Sequence, residues 1–176
     1  QPAILTASVA ALRVLRTETP LSASYLAGHS LGEYSALVAS GAIGFADALR
    51  TVRARGTYMQ EAVPVGVGAM AAILGVESEV LADICREAAE GEVVAPANYN
   101  SPGQIVIAGH AGAVGRAIEI AKSRGFRKAM LLPVSAPFHS ALMVPAGERL
   151  AETLAGVIIT PLEIPVVTNV EAQPNQ

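Results

Sequence analysis

The stretch LAGHSLGEYSAL, residues 26–37, decides how this chain is read. The short apolar run SYLAG (24–28) reads as a strand, and SLGEYSALVAS (30–40) reads as a helix that stops at Gly41, a natural residue just past a helix end. Between them GHSLG matches G-x-S-x-G, with Ser30 at its centre. At a strand-turn-helix junction that pattern is a nucleophile elbow. A sharp turn forces an unusual backbone angle at the serine, and glycines two residues to either side remove side chains that would collide. The hydroxyl then stands at a helix N-terminus, where free N–H groups and the helix dipole favour a developing negative charge. The competing reading is a glycine-rich connection with no chemistry, so the rest of the chain has to decide.

The 176 residues suffice for one domain or one and a half. Apolar residues make up 52% and charged residues 15%, which supports a large core and excludes a disordered chain or a solvated coiled coil. The net charge of −3, with no cluster of Lys and Arg, argues against a nucleic-acid or anionic-membrane surface. Cys85 is the single cysteine, so neither an internal disulfide nor a thiolate zinc site is available. One cysteine, expected at a buried helix position, fits a reducing, cytoplasmic setting. No apolar run reaches the roughly 18–20 residues that span a bilayer. Both ends, Gln1 and EAQPNQ, look cut.

Upstream of the elbow, ILTASVAALRVL (4–15) has helical apolar spacing and reads as a buried helix. Downstream, FADALRTVRARGTYMQEAV (45–63) is a second long helix, crossed by Gly56. The rhythm changes at PVGVGAM (64–70). Strand AMAAILGV, helix SEVLADICREAAEG with Ser78 as N-cap, strand EVVAPAN, turn NSPG, strand QIVIAG, helix AVGRAIEIAKSRG and strand FRKAMLLPV follow in the order β-α-β-β-α-β. That order is the ferredoxin-like pattern. The expected organisation is a small domain, residues 66–132, inserted into a larger α/β domain formed by 1–65 and 133–176. Helix HSALMVPAGERLAETLAGV and strand IPVVTNV return the chain to the larger sheet.

A serine nucleophile needs a base, and there are three histidines. His29 adjoins Ser30, and neighbouring side chains diverge on a tight turn, which suits pocket lining or packing. His110, in IAGHAGA, reads as a surface-loop residue. His139, in VSAPFHSAL, sits where the chain leaves the small domain, with Pro137 stiffening the approach. A histidine at a domain junction can face a cleft, so His139 is the best candidate base, weighed against a structural role. The aspartates, Asp47 and Asp83, offer no evident partner for it, and a Ser–His dyad fits better than a triad. The Leu31 amide would be an oxyanion donor. Arg55 precedes Gly56 and would clamp a carboxylate if it lay near Ser30. From the residues alone, a solvated helical arginine is the stronger reading.

The combination of GHSLGEYSALVASGAI, RARGTYMQ, NYNSPGQIVIAG and SAPFHSALM closely resembles the malonyl-CoA:acyl carrier protein transacylases and the acyltransferase domains of polyketide synthases. Four separated motifs occur in the right order over nearly the whole chain. The resemblance implies an α/β-hydrolase-like parallel-sheet domain carrying the ferredoxin-like insert. It matches Ser30 to the acyl-accepting serine, His139 to the general base, and Arg55 to the arginine that binds the free malonyl carboxylate. Leu31 matches the oxyanion donor, and Asn98 falls at a strand edge near the family's cleft. Phe138 matches a position where an aromatic ring goes with malonyl units, since a ring there crowds a methyl branch; excluding one methyl is worth only about 1–3 kcal/mol. The family pattern begins with a strand ending in Gly-Gln-Gly, which supplies a second oxyanion donor, and continues past the TNV strand. The chain therefore reads as an internal piece of a longer protein.

The resulting expectation is transfer of a malonyl group from malonyl-CoA to the phosphopantetheine thiol of acyl carrier protein through a malonyl-serine ester. It needs no metal or redox cofactor, CoA thioester being the substrate, and the protein is expected to be monomeric. The alternatives are a polyketide-synthase acyltransferase domain, a serine esterase or thioesterase, and a docking domain that has kept only the scaffold.

Overall fold

Helix α1 (Pro2–Glu18) opens the chain with proline in its first turn, where the missing N–H would have had no partner. The computed structural model describes residues 1–20 and 22–175, which pack as two compact units, 1–56 with 150–176 and 57–149.

In the first unit, β1 (Leu26–Ala27) leads into α2 (Gly32–Ala39) and the start of α3 (Phe45–Glu61). The chain returns through the end of α6 (Val144–Ala155) to β6 (Val166–Val167) and β7 (Pro174–Asn175). The sheet order is β1-β6-β7. Strands β1 and β6 are parallel, pairing Leu26 with Val166 and Ala27 with Val167, and β7 is antiparallel to β6. Helix α2 ends at Ser40, and Gly41 follows at φ +79°, the left-handed conformation expected of it. Leu5, Val9, Leu31, Ile43, Ala48 and Val52 form the core.

Helix α1 is less buried than its composition suggests: only Leu5 and Val9 are buried, whereas Ile4 and Val14 are each 61% exposed. The buried pair lies one turn apart on one stripe, while Ile4 and Val14 fall on other faces of the cylinder. The strands expected over 24–28 and 164–170 shorten to two ladder residues each. At the start of β1, Leu26 donates to the Pro165 carbonyl (2.9 Å), and beyond Ala27 the chain turns at Gly28.

The second unit runs β2 (Gly68–Leu74), α4 (Ser78–Ala89), β3 (Val94–Ser101), β4 (Gln104–His110), α5 (Ala111–Ser123) and β5 (Ala129–Leu131). Its sheet has the order β3-β4-β2-β5 with every neighbour antiparallel. Side chains alternate across the pleat. Ala71, Ile73, Ile105 and Ile107 meet Leu81, Ile84 and Cys85 of α4 and Val114 and Ala117 of α5. Met70, Val106 and Ala108 meet Leu132 and Phe138 on the other side. Burial pushes the Cys85 thiol up to about 11.

A third cluster joins Met59 and Val63 of α3 and its exit to Ala136, Met143 and Ala146. By this packing the units divide at 56/57 and 149/150, whereas the composition change suggested 65/66 and 132/133.

Local chemistry accounts for other differences. The N-cap of α4 is Glu77, in extended backbone with no side-chain cap, and Ser78 is the first helical residue. Ser101 still belongs to β3, so the turn tightens to Pro102 and Gly103, the latter at φ +70°. Strand β5 is three residues of the expected 126–134. The helix expected from His139 starts instead as a 3₁₀ turn, Ala141–Met143, because the Ser140 hydroxyl accepts from Leu142 N–H (3.3 Å) ahead of α6. His110 is not a loop residue: it closes β4, and its Nδ1 accepts from Val93 N–H (2.9 Å).

Ile107 is fully buried between the sheet and its two helices. Ile107→Ala leaves a cavity there and is expected to lower unfolding stability by about 2–5 kcal/mol, read from urea denaturation with an unchanged slope.

Candidate active site

Ser30 sits at φ +52°, left-handed backbone that costs a non-glycine residue about 1–2 kcal/mol. The turn that imposes it closes with Gly32 N–H donating to the His29 carbonyl (2.9 Å) and Glu33 N–H to the Ser30 carbonyl (3.2 Å). Of the two flanking glycines, only Gly28 is sterically required. A Cβ on Gly28 would lie 2.0 Å from the Gly32 carbonyl carbon, whereas a Cβ on Gly32 would meet nothing within 4 Å. The collision argument therefore holds on the strand side of the turn and not on the helix side.

Arg55 of α3 reaches the turn. Its Nη2 donates to Ser30 Oγ (3.0 Å) and its Nη1 to Gln1 Oε1 (2.7 Å). The guanidinium carbon lies 6.0 Å from the centre of the Tyr34 ring. Burial lowers the Arg55 pKa, and Tyr34 and Glu33 oppose that shift. Arginine starts so high that it stays charged at neutral pH. Burial likewise raises the Tyr34 phenol, with Arg55 pulling it the other way. The result is a cation held on the serine hydroxyl in half-buried surroundings. Gly56 allows this approach only loosely, since a Cβ there would sit 3.4 Å from Gln1 Nε2.

Leu31 buries its side chain in the core of the first unit and forms the N-cap of α2. No hydrogen bond of its amide is found among the described residues, as befits an orphan donor at a helix start. The His29 side chain is exposed beside the turn.

The remaining candidates lie in the second unit. His139 takes φ +61° at the tip of a short turn: Phe138 N–H donates to the Ala136 carbonyl (3.0 Å), and Ser140 Oγ to the Pro137 carbonyl (2.7 Å). Ser135 Oγ, donating to Gln60 Oε1 (2.6 Å), ties the start of this segment to α3. The buried Pro137 ring fills the space over Gly68, where a Cβ would come within 2.3 Å of it. Phe138 packs its half-buried ring against two apolar clusters, so it supports the sheet as well as flanking the histidine. Asn98 is half-buried in β3, opposite Val106 and next to a register shift at Pro96. No group of three or more His, Cys, Asp or Glu side chains able to hold a metal occurs among the described residues.

Two participants at the Ser30 turn escaped the sequence reading. Gln1 carries no motif, and its contact with Arg55 spans 54 positions. Asn169 follows β6, and its carboxamide accepts from Ser30 N–H (2.6 Å) and donates to the Gly28 carbonyl (2.7 Å), while its own N–H donates to Glu33 Oε2 (3.0 Å). The one available signal was placement: a polar side chain just beyond a strand that pairs in parallel with the elbow strand.

A mixed α/β protein built around a serine at a strand-turn-helix elbow is the class that fold and turn define. Within that class, the chain belongs to the acyl transferase domain family, whose profile matches residues 1–176. It is 55% identical over 173 residues to the malonyl CoA-acyl carrier protein transacylase of Escherichia coli K12, covering 98% of this chain and 56% of the relative. Identity to the Bacillus subtilis protein of the same name is 52% over 173 residues, covering 98% of this chain and 54% of that one. Among solved structures, the malonyl CoA-acyl carrier protein transacylase of Coxiella burnetii superposes with a TM-score of 0.97 at 48% identity, covering 99% of this chain and 55% of that one. A malonyl-transacylase in complex with a type II polyketide acyl-carrier protein gives 0.97 at 49%, covering 99% and 57%. The chain thus spans about half the length of the relatives it matches.

Gly28→Ala should force the Gly32 backbone away from the turn. Labelling of Ser30 by a fluorophosphonate in the full-length protein is expected to slow at least about 10-fold, with Gly32→Ala much closer to the unaltered protein.

Proposed function

We propose that the protein to which this chain belongs transfers a malonyl group from malonyl-CoA to the phosphopantetheine thiol of acyl carrier protein. The observation that carries the reading is the Arg55 guanidinium on the Ser30 hydroxyl, 3.0 Å away, in a member of the acyl transferase family. A hydrolase for neutral esters has no use for a half-buried cation at its nucleophile. A malonyl carboxylate is one methylene from the carbonyl under attack, so a cation in contact with the hydroxyl is within its reach.

In the proposed sequence, Ser30 Oγ attacks the thioester carbonyl while its proton passes to the His139 imidazole. The Leu31 amide and a donor outside this chain hold the oxyanion. The C–S bond breaks, CoA leaves as a thiol with the proton from His139, and a malonyl-serine ester remains. The carrier thiol gives its proton to His139 and attacks the ester carbonyl, and the Ser30 alkoxide recovers the proton as the C–O bond breaks. No electron is gained or lost. Arg55 fixes the carboxylate end through both half-reactions, which favours a malonyl chain over an unbranched neutral one. His29, Asn98 and Phe138 would line the acyl site, with Phe138 crowding a methyl branch.

We also infer an α/β-hydrolase-like arrangement for the first unit, from the parallel β1–β6 pair flanking the elbow, and a ferredoxin-like one for the second, from its β3-β4-β2-β5 order. The relatives' names support acyl carrier protein as the acceptor.

Full-length protein incubated with malonyl-CoA is expected to gain the mass of one malonyl group, and Ser30→Ala to gain none; an adduct that persists in Ser30→Ala would overturn the serine assignment. Arg55→Ala is expected to cut the preference for malonyl over acetyl transfer by about 10- to 100-fold, the worth of a charge-assisted hydrogen bond. An unchanged ratio would rule out the carboxylate clamp.

A further inference from the structure

We propose that Asn169 is a positioning residue for the nucleophile: its carboxamide splints the Ser30 turn and so decides which backbone amide is left for the oxyanion. The inference rests on Ser30 being the acyl acceptor.

The parallel register of β1 and β6 pairs Ala27 with Val167. Continued two residues further, it sets position 169 level with His29, beside the turn. From there the side chain makes two bonds that need opposite chemistry. Its Oδ1 accepts from Ser30 N–H (2.6 Å), and its Nδ2 donates to the Gly28 carbonyl (2.7 Å). A carboxamide is the short side chain that can do both at once. The backbone at 169 is held as well, by its N–H donating to Glu33 Oε2 (3.0 Å) and by a following turn in which Ala172 N–H donates to the Thr168 carbonyl (3.1 Å). One element therefore grips the turn at its entrance, Gly28, at its apex, Ser30, and at its exit, Glu33.

This grip has a chemical consequence. Ser30 lies in left-handed backbone ahead of a helix that starts at Gly32, so no helical carbonyl is available to its N–H. Asn169 takes that N–H, turning it away from any acyl group on the hydroxyl. The next amide, Leu31, makes no hydrogen bond among the described residues and is the one left to face a developing oxyanion. Without the splint the Ser30 peptide is free to rotate, the hydroxyl loses its fixed aim, and the two amides compete.

The test uses full-length protein with Asn169→Leu, which keeps the shape and loses both bonds, and Asn169→Asp, which keeps the acceptor and loses the donor. Single-turnover malonylation of Ser30 is expected to slow on the order of 100-fold in Asn169→Leu and by an intermediate factor in Asn169→Asp, with malonyl-CoA affinity within about threefold of the unaltered protein. Folding is checked by cooperative thermal unfolding. If the leucine variant does not fold, the aspartate variant alone decides. A malonylation rate within about threefold of the unaltered protein in any folded variant, or a loss that appears wholly in affinity, overturns the proposal. Fluorophosphonate labelling, which needs only a reactive hydroxyl, is run in parallel. If the unaltered protein labels but takes no malonyl group, the substrate reading fails and the splint is still judged from the labelling ratios.

Discussion

The site depends on one backbone contact, the approach of Gly28 to the carbonyl of Gly32 across the Ser30 turn. Two segments of main chain pass so close that no side chain fits at position 28, and the serine between them is pushed to positive φ. Strand β1 delivers the chain to that point, α2 carries it away, and the hydroxyl is left at the helix start, where main-chain donors outnumber acceptors. Strain of this kind persists only when its surroundings over-determine it. Here the surroundings are the parallel partner strand, the carboxamide that follows it, and the acidic first turn of α2.

Around this rigid turn the charge is arranged economically. Arg55 brings the positive charge nearest the hydroxyl, and it is held by Gln1, a neutral acceptor, instead of by a carboxylate. A carboxylate in that place would compete with an acidic acyl chain for the guanidinium; a carboxamide orients the fork without adding a negative charge in contact with it. Glu33, the nearby acid, is engaged by the Asn169 amide. The same logic of a fixed turn recurs in the second unit, where Pro137 sits on Gly68 and His139 adopts positive φ two residues later.

What could be read from the letters follows from how local each feature is. The elbow was legible because Gly28, Ser30 and Gly41 act within one strand-turn-helix segment, and the β-α-β-β-α-β order was legible because each element carries its own periodicity. The cluster of Met59, Val63, Met143 and Ala146 was not legible, because these residues meet only after folding and nothing in their spacing sets them apart. Gln1 and Asn169 were invisible for the same reason: each acts on a partner 54 or 139 positions away. Ser78 shows the opposite failure, a good capping residue displaced by one position, with the extended Glu77 in the cap. Helical spacing alone argued for a solvated Arg55, whereas the folded chain half-buries it with its guanidinium on Ser30 Oγ, a contact across 25 positions that no local pattern encodes.

Cys85 lies on the inner face of α4 against the sheet, 2% exposed and hard to ionise. As the one sulfhydryl in these 176 residues, it is shielded from alkylating reagents for as long as the layer of helices stays down on the strands. Each opening of that layer uncovers it, so the fold carries its own clock, in which the rate of thiol modification counts the excursions that lift α4 from the sheet.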